Sequence, residues 1–149
     1  MKVYISASWK NRTNVRALAE LLRVMGHEVY DFTDPACRQT PEIPPERFPG
    51  QFDPLRHTYA EYLDRPEWRG AVEENRKAIQ WCDVVLLLLP CGIDATADWA
   101  YGVGIGKRSL IVGSPRAGER SPVHLWADKI VRTWDEAVNE LESWTAQAA

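Results

Sequence analysis

Apolar positions along the chain fall into short runs separated by helical spacings. Residues 2–6, "KVYIS", read as a buried strand. Over residues 14–25, Val15, Leu18, Leu22 and Met25 recur with the period of one helix face, and Gly26 closes that helix. Residues 27–32 read as a second strand, so strand, helix and strand follow within a single right-handed βαβ unit. Pro66 opens a helix over 67–81 that turns Val72, Ala78 and Ile79 inward. Residues 84–89, "VVLLLL", are apolar without alternation, as expected of a central parallel strand covered on both faces. A helix from about 96 to 106 and a strand over 109–112 come next, then a polar turn region over 113–122. A strand over 128–132 precedes a last helix, opened by the capping-box sequence Thr133-Trp134-Asp135-Glu136.

This alternation predicts an α/β fold: one doubly wound, flavodoxin- or Rossmann-like, five-stranded parallel sheet of order 2-1-3-4-5, with residues 1–149 as a single domain. Residues 33–66 break the pattern. They hold seven of the ten prolines and read as a flap with one short helix, packed through Phe48, Phe52, Tyr59 and Tyr62. Ligands of such sheets bind beyond the carboxyl ends of the strands, where strand order reverses. Two loops meet there: "SASWKNR" (6–12) after the first strand and "PCGIDATAD" (90–98) after the third.

Composition narrows the function classes. The chain has 149 residues and a net charge of −3, which makes a nucleic-acid backbone an unsuitable main partner. Its longest apolar run is far too short to span a bilayer. The sequence opens directly on a strand, which reads as a cytoplasmic protein with no signal peptide. Cys37, Cys82 and Cys91 are widely spaced, fit free thiols in a reducing compartment, and make no metal pattern with the scattered His27, His57 and His124. Most of the seven tryptophans are expected in the core, with some lining a site. No cofactor is called for: Gly102, Gly104 and Gly106 fall inside a helix and make no dinucleotide fingerprint.

Asp98 is the main candidate for chemistry. In the first turn of its helix, exposed N–H groups and the helix dipole would favour its ionised form. A carboxylate in the crevice can attack an anomeric carbon or stabilise an oxocarbenium ion. The plainer reading is a helix cap, a role that Asp94 could take instead. Ser6, Ser8, Lys10 and Arg12 suit a phosphate above a helix N-terminus, or a solvated basic turn. Cys91 lies in no motif with a histidine and reads as an unreactive thiol.

"KVYISAS", "NRKAIQWCDVVLLLLP" and an acid eight residues before Gly106-Lys107 resemble the nucleoside 2-deoxyribosyltransferase-like superfamily. That group includes deoxyribosyltransferases, N-glycosidases of nucleoside 5′-monophosphates, and bacterial and phage proteins. The resemblance implies a carboxylate nucleophile at Asp98, where the family has glutamate, oriented by Tyr4. It places the family's base-contacting acid on Asn75. A second acid falls on Gly92, with Asp94 as its substitute. The serines and basic residues of the first loop look like the nucleotide-cleaving branch. Ser6, Ser8 and Arg12 would then hold sugar or phosphate, and Trp9 and Trp99 would wall the site. The implied substrate is a nucleoside or nucleoside 5′-monophosphate, and the implied assembly a homodimer or larger homo-oligomer. Residues 3–29 also look like the first strand and helix of TIR domains, which leaves an NAD-cleaving enzyme open. A non-catalytic nucleotide-binding module and an assembly protein with a vestigial crevice stay open as well.

Overall fold

The computed structural model describes residues 1–40 and 52–149. Its centre is a parallel sheet of strands β1 (Lys2–Ala7), β2 (Glu28–Tyr30), β3 (Val84–Leu88), β4 (Arg108–Val112) and β5 (Lys129–Val131), in the order β2-β1-β3-β4-β5. Helices α1 (Arg12–Val24), α2 (Tyr59–Leu63), α3 (Pro66–Trp81), α4 (Ile93–Gly104) and α5 (Trp134–Ala148) connect and cover it. The architecture is the doubly wound α/β sheet that the pattern predicts. Phe48 lies outside the described residues. Phe52, Tyr59, Tyr62 and Trp68 form an aromatic cluster, although Tyr59 and Phe52 stay exposed.

Strand alternation divides the core between two faces. On one, Val3, Ile5, Val84 and Leu86 meet Val15, Leu18 and Leu22 of α1 and Leu141 and Trp144 of α5. On the other, Tyr4, Val85, Leu87 and Ile111 meet Ala78 and Ile79 of α3 and Ala95 and Trp99 of α4. Ala7 and Leu88 are register partners at the ends of β1 and β3, so the loops after these strands emerge side by side.

Several details differ from the sequence pattern. Val72 is 67% exposed, because the inward stripe of α3 runs through Asn75, Ala78 and Ile79 and leaves Val72 beside it. Met25 is the exposed cap of α1 rather than part of its buried face. Only Trp99 and Trp144 of the tryptophans are buried. The largest change is in α4, which begins at Ile93 behind Gly92, three residues earlier than expected.

Gly102, Gly106 and Lys107 at the end of α4 are structural. Gly106 takes φ +83° after the helix, and Lys107 Nζ donates to the carbonyls of Gln80 and Cys82, both at 2.7 Å. That cation caps the C-terminus of α3 where its carbonyls lack helical partners. Gly102 lets α4 approach the sheet, since a methyl there would overlap the side chain of Val85. Alanine would gain about 1 kcal/mol of helix propensity. Forcing a methyl into close-packed core costs about 1–3 kcal/mol, and Val85 is fully buried with little room to yield. Gly102→Ala is therefore expected to lower the melting temperature by several degrees in a thermal scan.

Candidate functional site

The site is built where α3 and α4 cross the Tyr4 face of β1. Ser6, buried at the end of β1, donates its hydroxyl to the carbonyl of Ala95 at 2.7 Å. That bond pins the first turn of α4 to the strand. One turn of helix further on, Asp98 overlies Tyr4. Tyr4 donates its hydroxyl to Asp98 Oδ2 at 3.1 Å, and Asn75 of α3 donates its side-chain amide to the same oxygen at 3.1 Å. Asp98 is half-buried, and its Oδ1 accepts no hydrogen bond from the described residues. One carboxylate oxygen is thus held by two donors, while the other has no partner among the described residues.

The electrostatics differ from the sequence expectation. Asp98 lies in the second turn of α4, and Asp94 is the acid of the first. The helix N-terminus therefore does not set the ionisation of Asp98, and neither acid makes a side-chain cap. Burial instead pushes the Asp98 carboxyl above the usual aspartate range, and the charge of Asp94 adds to this. The bonds from Tyr4 and Asn75 act in the opposite direction. Burial, with Asp98 alongside, drives the Tyr4 phenol far above its ordinary value, so it remains a donor.

The other candidates are spread around this cluster. Ser8 caps a short 3-10 turn, Trp9–Asn11, with its Oγ accepting the Lys10 amide at 3.3 Å. Trp9 is half-buried, its ring 5.7 Å from that of Phe32. Arg12 is exposed at the start of α1 and forms no ion pair among the described residues. Gly92 is the exposed N-cap of α4, with open space where a Cβ would stand. Trp99 has no exposed surface and belongs to the same core cluster as Tyr4, so it lies in the core beneath the site rather than walling it. The hydroxyl proton of Ser6 is engaged by Ala95. Cys91 Sγ lies 3.4 Å from Thr96 Oγ1, and burial pushes its thiol up, which makes it a poor nucleophile. Among the described residues no cluster of three or more His, Cys, Asp or Glu is placed to hold a metal ion, and no helix is long and apolar enough to cross a membrane.

Two contributors were not visible in the sequence. Tyr30 of β2 is the register partner of Tyr4, and their rings stack with centroids 5.4 Å apart and planes 12° from parallel. Glu74 takes a hydrogen bond from the Tyr30 hydroxyl at 3.2 Å. Pairing the first two strands residue by residue was the one signal that could have joined the two tyrosines.

No protein-family model matches the chain, and no curated relative matches it at significant similarity. Solved structures do. A 2-deoxyribosyltransferase from Bacillus psychrosaccharolyticus superposes with a TM-score of 0.63 at 17% identity, over 93% of this chain and 91% of that one. A CMP N-glycosidase from Clostridium botulinum superposes with a TM-score of 0.51 at 12% identity, over 97% of this chain and 99% of that one. At such identities the fold is what is shared, and it is shared over nearly the whole of each chain.

Proposed function

We propose that the chain is an N-glycoside-bond enzyme of the nucleoside 2-deoxyribosyltransferase-like superfamily, acting on a nucleoside or nucleoside 5′-monophosphate. The observation that carries this reading is the divided environment of Asp98: Oδ2 bound by Tyr4 and Asn75, Oδ1 without a partner among the described residues. The two solved structures that share the fold support it, because their names place a deoxyribosyltransferase and a nucleotide N-glycosidase on this architecture.

Asp98 Oδ1 attacks C1′ of the bound sugar as the bond from C1′ to the base nitrogen breaks, and that bond's electron pair leaves with the base. The base then takes a proton from water. The resulting glycosyl ester is opened by water, giving hydrolysis, or by a second base, giving transfer. Tyr4 keeps the carboxylate aimed. Asn75 holds Oδ2 and borders the base. Ser8, Trp9 and Arg12 receive the sugar or its phosphate, and Gly92 and Asp94 border the opposite side. In this reading residues 1–149 form one domain, and the protein works as a cytoplasmic homo-oligomer.

Incubating the protein with a panel of nucleosides and 5′-monophosphates, with free base read by chromatography, tests the proposal. Release of base from at least one member is the expected result. Recovery of every member intact, including one whose binding is seen by calorimetry, would replace the enzyme with a binding module. Release of nicotinamide from NAD alone would move the activity to the TIR-like alternative.

A further inference from the structure

Glu74 stands one residue before Asn75 on α3, and the chemistry above does not use it. It is half-buried and accepts four hydrogen bonds. Its Oε1 takes the Tyr30 hydroxyl at 3.2 Å and the Gln39 amide at 2.8 Å. Its Oε2 takes the Thr40 amide at 2.9 Å and the Thr40 hydroxyl. Burial opposes its ionisation, but these donors prevail and hold its carboxyl below the usual range. Glu74 is therefore a fixed anionic clamp on the segment leaving β2.

Its contacts lead back to Asp98. Tyr30, fixed by Glu74, stacks on Tyr4, and the Tyr4 hydroxyl binds Asp98 Oδ2. Asn75, the next residue along α3, binds the same oxygen. A staple needed only to hold residues 39 and 40 would have no use for the Tyr30 hydroxyl. We propose that Glu74 is a positioning residue for the Asp98 carboxylate, acting through the stacked pair Tyr30 and Tyr4 and through its neighbour Asn75. This rests on the reading of Asp98 as the nucleophile, and its test includes a readout that does not need turnover.

Tyr30→Phe is the decisive variant. It keeps the stacked ring and leaves Glu74 bound to Gln39 and Thr40, removing only the hydroxyl that links them. It changes no charge near the site: Asp94 beside Asp98, and Arg38, Cys37 and Glu74 around Tyr30, all stay in place. The readout is the titration of the Asp98 carboxyl carbon by NMR, assigned by its loss in Asp98→Asn. A looser Tyr4 donates less well, so the Asp98 midpoint is expected to rise by about half a pH unit. Glu74→Gln should lower kcat about fivefold to tenfold with KM within about twofold. An Asp98 midpoint in Tyr30→Phe equal to the wild-type value would overturn the proposal and leave Glu74 a staple, whatever the melting temperature does. Should the wild-type protein release no base from any substrate, the enzymatic reading fails, but the titration still decides the role of Glu74.

Discussion

Asp98→Asn is expected to lower base release about a thousandfold or more while raising the melting temperature at neutral pH. The loss follows from removing the attacking oxygen, the kind of change that removes most of an enzyme's acceleration. The gain in stability follows from burial. The folded-state pKa of Asp98 is raised above its unfolded value, first by desolvation. Such a group contributes most to stability below its unfolded pKa, about 3.9 for aspartate, and that contribution is lost as pH rises through the folded value. The wild-type protein therefore bears the cost of an ionised, half-buried carboxylate at pH 7. An asparagine carbonyl still accepts from Tyr4 and Asn75 but never ionises. A rise of a few degrees is expected, the scale on which about 1 kcal/mol registers in a domain of this size. Below pH 4 the two melting curves should converge. Activity runs the other way with pH: the nucleophile must be ionised, so kcat/KM should climb through a midpoint above the ordinary aspartate range.

Tyr4→Phe is the second large effect. The ring remains stacked on Tyr30 and buried in the sheet face, so the backbone frame should survive. Asp98 loses the donor that most favours its charged form. Three consequences are expected together. The acid limb of the pH–rate profile moves upward, because the remaining donor, Asn75, offsets less of the burial. The value of kcat falls about tenfold to a hundredfold, the cost of a carboxylate displaced by an ångström or less from its working position. Stability at pH 7 falls by about 1–2 kcal/mol, from one lost hydrogen bond to a partly solvated charge. Asn75→Ala should move the pH profile in the same direction by less. A Tyr4→Phe protein that lost stability with an unmoved pH profile would make Tyr4 a packing residue.

The sheet was legible from residues 84–89 and the first βαβ unit because a fully apolar run and a helical period have few other solutions. The strand order 2-1-3-4-5 is the one that the alternation of strands and helices predicts, and the sheet has it. Position along α4 was harder. Ile93 and Ala95 suit a helix as well as the residues behind them, and only the bond from Ser6 to Ala95 shows where the first turn is anchored. That error of three residues moved Asp98 from the helix terminus to the second turn, and with it the sign of its pKa shift. Tyr4 and Asn75 lie 94 and 23 residues from Asp98 in the chain, and only the resemblance to a known family groups the three from sequence. The wall role that the family reading assigns to Trp99 does not fit its position. Trp99 follows Asp98 directly, but one residue on, a helix has turned by about 100°, and Trp99 is buried in the core against the sheet. Glu74 carries no sequence signal, since it looks like a solvated helix face, and Tyr30 carries only the one that comes from pairing β1 with β2 residue by residue.

The central claim is a covalent bond between Asp98 and C1′. A brief reaction with a substrate identified in the panel, modified with a 2′-fluorine on the arabino face to slow breakdown of the glycosyl ester, followed by peptide mass spectrometry, reads that bond directly. The expected result is one added sugar on the peptide containing Asp98, with no label and almost no base release in Asp98→Ala. Base release by Asp98→Ala at the wild-type rate, with any label found on a different residue, would contradict it.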